Sequence, residues 1–154
     1  MKKIKGDIFE GSWDVLFHCA NIYCTWGAGF VVPLKKKYPA AYEADLATKK
    51  GDENKFSYFS FANAKNQRIY NLYAQIGIGN DGHPVNRNLQ YDFLFNSIYG
   101  MLEHLAVEFP DKKLVIACPK IGAGLAGGDW HIIKAILESI ELKFPKIEFH
   151  VYYL

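Results

Sequence analysis

Apolar residues recur along this chain with two periods, and the switch between them lays out its elements. Short apolar runs bounded by turn residues mark strands. "KKIKGDIF" predicts a first strand carried by Ile4 and Ile8, and "DVLFHCA" (Asp14 to Ala20) predicts a strand covered on both faces. "FSYFSFA" and "RIYNLYAQ" are rich in aromatic and β-branched residues and flank the polar "NAKNQ", the pattern of a hairpin. "KLVIACP" predicts another buried strand and "IEFHVYYL" a closing one.

Between these runs the period lengthens to three and four. A helix is expected over 30–37, and a second opens at Pro39, which suits a first helical turn, with Gly51 as its stop. Pro33 is awkward in the first helix because it removes an amide donor. Leu89, Phe93, Leu94, Ile98, Leu102, Leu105 and Ala106 space a long helix over 88–109. Ile132, Ile133, Ile136, Leu137 and Ile140 space a last one, capped by Asp129 and running to about Leu142. "IGIGNDGHPVN" is a loop. Strands alternating with helices define an α/β domain with helices on both faces of a mixed sheet. No repeat, linker or low-complexity tract interrupts 1–154, so a single domain is expected.

Composition narrows the function classes. Half of the 154 residues are hydrophobic and 16% are aromatic, a composition that buries a core. The net charge of +2 comes from 18 basic and 16 acidic residues, and this balance gives no support for generic binding to a nucleic-acid backbone. Three cysteines, Cys19, Cys24 and Cys118, without paired spacing or a CxxC, argue for a reducing compartment and against a structural zinc site. No signal-peptide core and no membrane-length apolar run is present, so a cytoplasmic protein without membrane attachment is expected.

Two glycine loops carry the candidate chemistry. "FHCANIYCTWGAGF" and "ACPKIGAGLAGGDW" each follow a buried strand and precede a helix. In α/β sheets ligands settle where such loops cluster, and glycines let backbone amides approach an anion without an intervening Cβ. Neither loop is a P-loop, since "GAGLAGGD" has no following lysine. A dinucleotide fingerprint would need Gly127 as third glycine and an acid about twenty residues on, and Glu141 and Glu148 do not suit it. Lys35, Lys36 and Lys37 fan over roughly 200° of a helix and cannot converge on one phosphate.

Together these residues resemble the macro domain family of ADP-ribose binders, in the right order and over nearly the whole chain. The resemblance implies a three-layer α/β/α fold. "KGDIF" is similar to the first-strand motif, placing Asp7 on the adenine amino group with Ile8 beside it. "HCANIYCTWGAGF" is similar to the first ligand loop, with Asn21 on the distal ribose and Trp26, Gly27, Ala28, Gly29 and Phe30 around it. "PKIGAGLAGGDW" is similar to the second loop, so that Ile121, Gly122, Ala123, Gly124 and Leu125 close on the diphosphate. "VYYL" points to Tyr152 as a wall of the adenine pocket. The resemblance is nearest two branches, the ADP-ribose 1″-phosphate phosphatases and the terminal ADP-ribose glycohydrolase-like enzymes. The second branch uses a lysine and, in one type, an aspartate. Those positions hold Gln75 and Ala126 here, and a glutamine cannot form the adduct of a lysine amine.

The expected activity is hydrolysis of an ADP-ribose derivative, the 1″-phosphate first, with no cofactor and no metal. The alternatives are a non-catalytic reader of ADP-ribose or ADP-ribosylated protein, and a hydrolase without the lysine mechanism. Four side chains are candidates for catalysis. His18 is an acid or base, or a histidine satisfied at a strand end. Asn21 orients water or holds ribose hydroxyls. Asp129 is an acid or base, or a helix cap. Gln75 binds substrate or water, or caps its strand. Trp26 stacks on the ligand or packs under its loop. Cys19 falls on the strand face opposite His18 and belongs to the core, whereas Cys24 has no nameable partner. His83, His104, His131 and His150 are scattered, without metal-ligand spacing.

Overall fold

The structure, a computed structural model, describes residues 1–77, 88–120 and 127–154. In chain order its elements are β1 (Lys2–Lys5), β2 (Val15–Ala20), α1 (Val31–Lys37), α2 (Pro39–Leu46), β3 (Phe59–Ala64), β4 (Gln67–Tyr73), α3 (Tyr91–Glu108), β5 (Leu114–Pro119), α4 (Trp130–Lys143) and β6 (Ile147–Tyr153). All six strands join one sheet in the order β1-β6-β5-β2-β4-β3. Every neighbouring pair is parallel except β3 with β4, the antiparallel hairpin at one edge. The mixed sheet and its two helical layers give the α/β/α architecture.

Alternation along each strand divides the core in two. Val15, Phe17, Leu72, Ile116, Cys118, Phe149 and Val151 meet α3 and α4 on one face. Phe17 and Phe149 pack edge-on there, with centroids 6.0 Å apart. Leu16, Ile69, Ala117 and Tyr152 meet α1, α2 and the 3-10 turn Ile8–Glu10 on the other. Among the described residues no helix is long and apolar enough to cross a membrane.

Several boundaries differ from the sequence expectation, each for a local reason. The first strand stops at Lys5 because Gly6 takes φ +150 and Asp7 then caps the 3-10 turn through Phe9 N. Pro33 is tolerated as the third residue of α1, where its amide would have had no intrahelical partner. The second helix ends at Leu46 instead of Gly51, since the Thr48 amide and hydroxyl both take the carbonyl of Asp45. Gly51 turns later, at φ +76, and donates to Ile22 O. The long helix begins at Tyr91, because Leu89 is drawn into an isolated antiparallel bridge with Gln75. In α4 the buried stripe is Ile133, Leu137 and Ile140, and Ile132 lies outside it at 43% exposure.

Candidate functional site

Five parallel strands send their carboxyl ends to the same edge of the sheet. That edge therefore collects Asp7 after β1, Asn21 and the glycines after β2, Gln75 after β4, Lys120 and Asp129 after β5, and Tyr153 at the end of β6. The segment after β2 turns toward α1 on one face, whereas the chain after β5 enters α4 on the other. From β1 to β4 the rim spans four strand spacings, roughly 19 Å.

At the β1 end, Asp7 is exposed and its Oδ1 accepts the Phe9 amide at 2.9 Å. Ile8 opens the turn, with an amide that precedes any intraturn bond, and its carbonyl accepts Trp13 Nε1 at 2.8 Å. Phe9 stacks on Phe30 with centroids 5.5 Å apart and planes 12° apart, which ties this turn to the far end of the loop after β2.

The loop after β2 is folded by Asn21, whose Oδ1 accepts the Tyr23 amide at 2.8 Å and whose Nδ2 donates to Thr25 Oγ1 at 2.7 Å. Each end of this carboxamide keeps one further hydrogen-bond site. Gly27, Ala28 and Gly29 are exposed, Gly29 at φ +75, and a Cβ built on either glycine would meet nothing within 4 Å. The open side of these peptides thus faces free space at the rim. Lys35, Lys36 and Lys37 are exposed at the far end of α1, with Lys35 Nζ 4.0 Å above the Tyr42 ring.

Two expected members of the site are withdrawn from it. His18 is 2% exposed and stands opposite Asn71 in the β2–β4 register. Its Nε2 lies 2.6 Å from Asn71 Oδ1. Asn71 Nδ2 donates to the Ala41 carbonyl, an atom that can only accept, so the amide orientation is fixed and His18 Nε2 must carry the proton. Burial lowers the His18 pKa, with the Asn71 bond opposing that shift. The imidazole is a neutral strut beneath the loop, which corrects its expected place as an acid or base. Asn71 supplies its side-chain support.

Trp26 is likewise 7% exposed, edge-on to His18 at 5.3 Å, with Nε1 donating to Asp45 Oδ2 at 2.7 Å. It packs under the loop and does not face the rim, so its expected ligand contact is corrected too. The physical reasons differ: parity puts His18 with Leu16 on the face that α1 and α2 cover, and the Asp45 carboxylate from α2 draws the Trp26 indole down under the loop.

Of the remaining expectations, Asp129 caps α4, with Oδ1 accepting His131 N at 2.8 Å, and its own amide donates to Tyr91 Oη. Gln75 reaches back from the end of β4 to Cys19 O at 3.4 Å. Phe30 sits at the loop's end as the residue before α1. Ile121, Gly122, Ala123, Gly124 and Leu125, together with Ala126 and His83, lie outside the described residues.

Tyr152 is 7% exposed and its ring lies under the 3-10 turn. A Cβ on Gly11 would fall 2.1 Å from its Oη. Tyr152 is therefore a floor of the turn that carries Asp7, not an open wall. Gly11→Ala should lower stability by about 1–3 kcal/mol through overpacking, seen as an earlier thermal midpoint. Tyr152→Phe in the same chain should recover part of the loss. An unchanged midpoint would mean that the turn lifts freely.

Cys19 points to the α3/α4 face, and burial pushes its thiol up to about 12, as burial also raises Cys118. Cys24, at φ +57, does have a partner: its Sγ donates to Asp45 O at 3.3 Å. Among the described residues, no three His, Cys, Asp or Glu side chains gather as a metal set. The sequence reading missed Asp45 and Asn71. The one available signal was a lone asparagine in the buried run "RIYNLYA".

No protein-family model matches the chain. It is 35% identical, over 93% of its length and 91% of the relative's, to an uncharacterized 17.5 kDa protein from the tk-vs intergenic region of Enterobacteria phage T4. It is 25% identical to an ADP-ribose 1″-phosphate phosphatase of Debaryomyces hansenii, over 99% and 98% of the two chains. An ADP-ribose glycohydrolase of Bos taurus, OARD1, is 27% identical over 89% and 81%. Among solved structures, a protein of unknown function from Bacteroides thetaiotaomicron superposes with TM-score 0.83 at 30% identity, covering 99% and 97%. The macrodomain of Mycobacterium tuberculosis DarG superposes with TM-score 0.76 at 15% identity, also covering 99% and 97%, a likeness of fold. Thermosipho africanus DarTG, solved in complex with ADP-ribose, gives 0.73 at 16% identity over 98% of this chain and 41% of that one. The chain belongs to the macro domain family.

Proposed function

We propose that this chain, acting as a single domain, binds ADP-ribose and hydrolyses an ADP-ribose derivative, ADP-ribose 1″-phosphate before others, to ADP-ribose and phosphate. One observation carries the reading: rim residues follow the order of the ligand's own groups. Asp7 lies at the β1 end, the loop after β2 with Asn21 and the glycine peptides lies farther along, and Gln75 ends β4. That sequence suits an adenine, a diphosphate and a distal ribose in turn. The relatives named as an ADP-ribose 1″-phosphate phosphatase and an ADP-ribose glycohydrolase match this chain over most of their length, which supports the hydrolase class.

In this reading Asp7 Oδ2 accepts the adenine amino group, since Oδ1 already holds Phe9 N. The exposed amides of 27–29 receive diphosphate oxygens. Carboxamides of Asn21 and Gln75 orient the ribose and the attacking water, and Asp129, with one oxygen engaged by His131 N, supplies the proton-transfer group. Calorimetric titration with ADP-ribose, against ADP and ATP, should show micromolar affinity selective for ADP-ribose, and the 1″-phosphate should release phosphate. Equal affinity for all three nucleotides would sink the assignment.

A second reading is favoured by the withdrawal of His18. With the imidazole occupied by Asn71 and Gln75 at the lysine position, the rim is better furnished to hold than to cleave, as in a reader of ADP-ribose or ADP-ribosylated protein. Tight binding without turnover of phosphate, ester or nucleic-acid adducts would select it.

A further inference from the structure

The loop after β2 is held from below by one end of α2. Asp45 lies in the last turn of that helix and is 1% exposed. An acidic side chain there faces the negative end of the helix dipole, so the local helix gains nothing from it. Both carboxylate oxygens are nonetheless engaged, Oδ2 by Trp26 Nε1 at 2.7 Å and Oδ1 by Tyr73 Oη at 2.6 Å. Its main-chain carbonyl takes Cys24 Sγ.

Behind Tyr73 the hydrogen bonds have a fixed direction. His18 Nε2–H donates to Asn71 Oδ1, and Asn71 Nδ2 donates to Ser60 Oγ at 3.0 Å. Tyr73 spends its proton on Asp45, so the Ser60 hydroxyl donates to Tyr73 Oη at 2.8 Å. The chain therefore ends on an acceptor with no proton of its own to give. Reversing it would leave the Ser60 hydroxyl without an acceptor, so an amide cannot replace Asp45 at no cost. Lys55, 9% exposed, closes the cluster, with Nζ donating to Thr48 Oγ1 at 2.9 Å and lying 5.0 Å from the Tyr73 ring centre.

We propose that Asp45 is the positioning residue of the ligand loop: through Trp26 it sets the height and tilt of the peptides from Asn21 to Phe30, and so the affinity of the rim. This rests on the reading of that loop as an ADP-ribose site. Asp45 touches no ligand and acts only through its hold on the loop.

The test is calorimetry with ADP-ribose on the full chain and its Asp45→Asn, Trp26→Phe and double variants, with amide hydrogen exchange over 22–30. Leu137→Ala, buried in α4 on the opposite face, is the reference for loss of stability alone. Asp45→Asn should weaken binding about tenfold, the equivalent of about 1.4 kcal/mol. Trp26→Phe should do likewise, and the double variant should lose less than the two single losses combined, because both loosen the same contact between α2 and the loop. Exchange over 22–30 should quicken in Asp45→Asn and stay unchanged in Leu137→Ala. If Asp45→Asn folds poorly, Trp26→Phe, which deletes the indole N–H, carries the test.

Binding by Asp45→Asn equal to that of the unaltered chain, or weakened no more than in Leu137→Ala, would overturn the proposal. Failure of the unaltered chain to bind ADP-ribose would end the ligand reading instead. The positioning claim then stands if exchange quickens over 22–30 alone, and falls if it does not.

Discussion

His18→Ala should lose about 3–5 kcal/mol of stability, the sum of a cavity beneath Trp26 and a buried Asn71 oxygen left without its donor. The imidazole is 2% exposed, packs against Trp26 and Phe30, and gives its one N–H to Asn71. Its described partners all lie beneath the loop and not at the rim. Measured below its lowered melting point, the variant should therefore keep more affinity for ADP-ribose than its stability loss would suggest. Urea unfolding reads the first quantity and calorimetry the second. An unaltered urea midpoint together with abolished turnover would return His18 to the chemistry.

The same residue makes stability depend on pH. Burial lowers its folded pKa below the ordinary 6.5, so the unfolded chain takes up the proton more readily and stability rises with pH. The contribution is complete above about 6.5 and is lost progressively as pH falls below that value toward the folded pKa. Urea midpoints at about pH 7.5 and about pH 5.5 should differ in that direction, and His18→Gln, which can still donate to Asn71 but does not titrate, should lack this component. An equal acid loss in both proteins would assign the effect to other groups.

Asn21→Ala is expected to weaken ADP-ribose binding by up to about a hundredfold, at roughly 1 kcal/mol for each of three hydrogen bonds lost. Two of those bonds are internal, to the Tyr23 amide and the Thr25 hydroxyl, and they shape the loop. The third is the one the free valences of the carboxamide would make to a ribose hydroxyl. Asn21→Asp separates these parts. It keeps an acceptor for Tyr23 N and for the Thr25 hydroxyl proton, so the loop stays folded, but it sets a negative charge beside an anionic ligand. Both variants should bind poorly, and Asn21→Asp should regain affinity at higher salt as the repulsion is screened. Affinity unchanged in Asn21→Ala would remove the residue from the site.

The limits of the sequence show most clearly at β2. Its apolar run announced a buried strand, and its parity put His18 and Cys19 on opposite faces, as the structure has them. Parity could not say which face looks toward a ligand and which is sealed by a helix. That depends on α1, α2 and the loop after β2 folding back over Leu16 and His18, a matter of chain path. Trp26 was open for the same reason, because only the arrival of Asp45 from α2 gives its N–H a buried acceptor.

The sequence by itself determined the alternation of elements, the α/β class, the glycine loop after β2 and the cap at Asp129, because each rests on residues within a few positions of one another. Tertiary structure alone decided the order β1-β6-β5-β2-β4-β3, which lines Asp7, Asn21 and Gln75 along one rim. It also decided the partnership of His18 with Asn71, 53 residues away, and of Trp26 with Asp45, 19 away. Periodicity fixes the face a side chain takes. It carries no information about which strand or helix will come to lie against that face, and hydrogen bonds between buried side chains form only once that neighbour is in place.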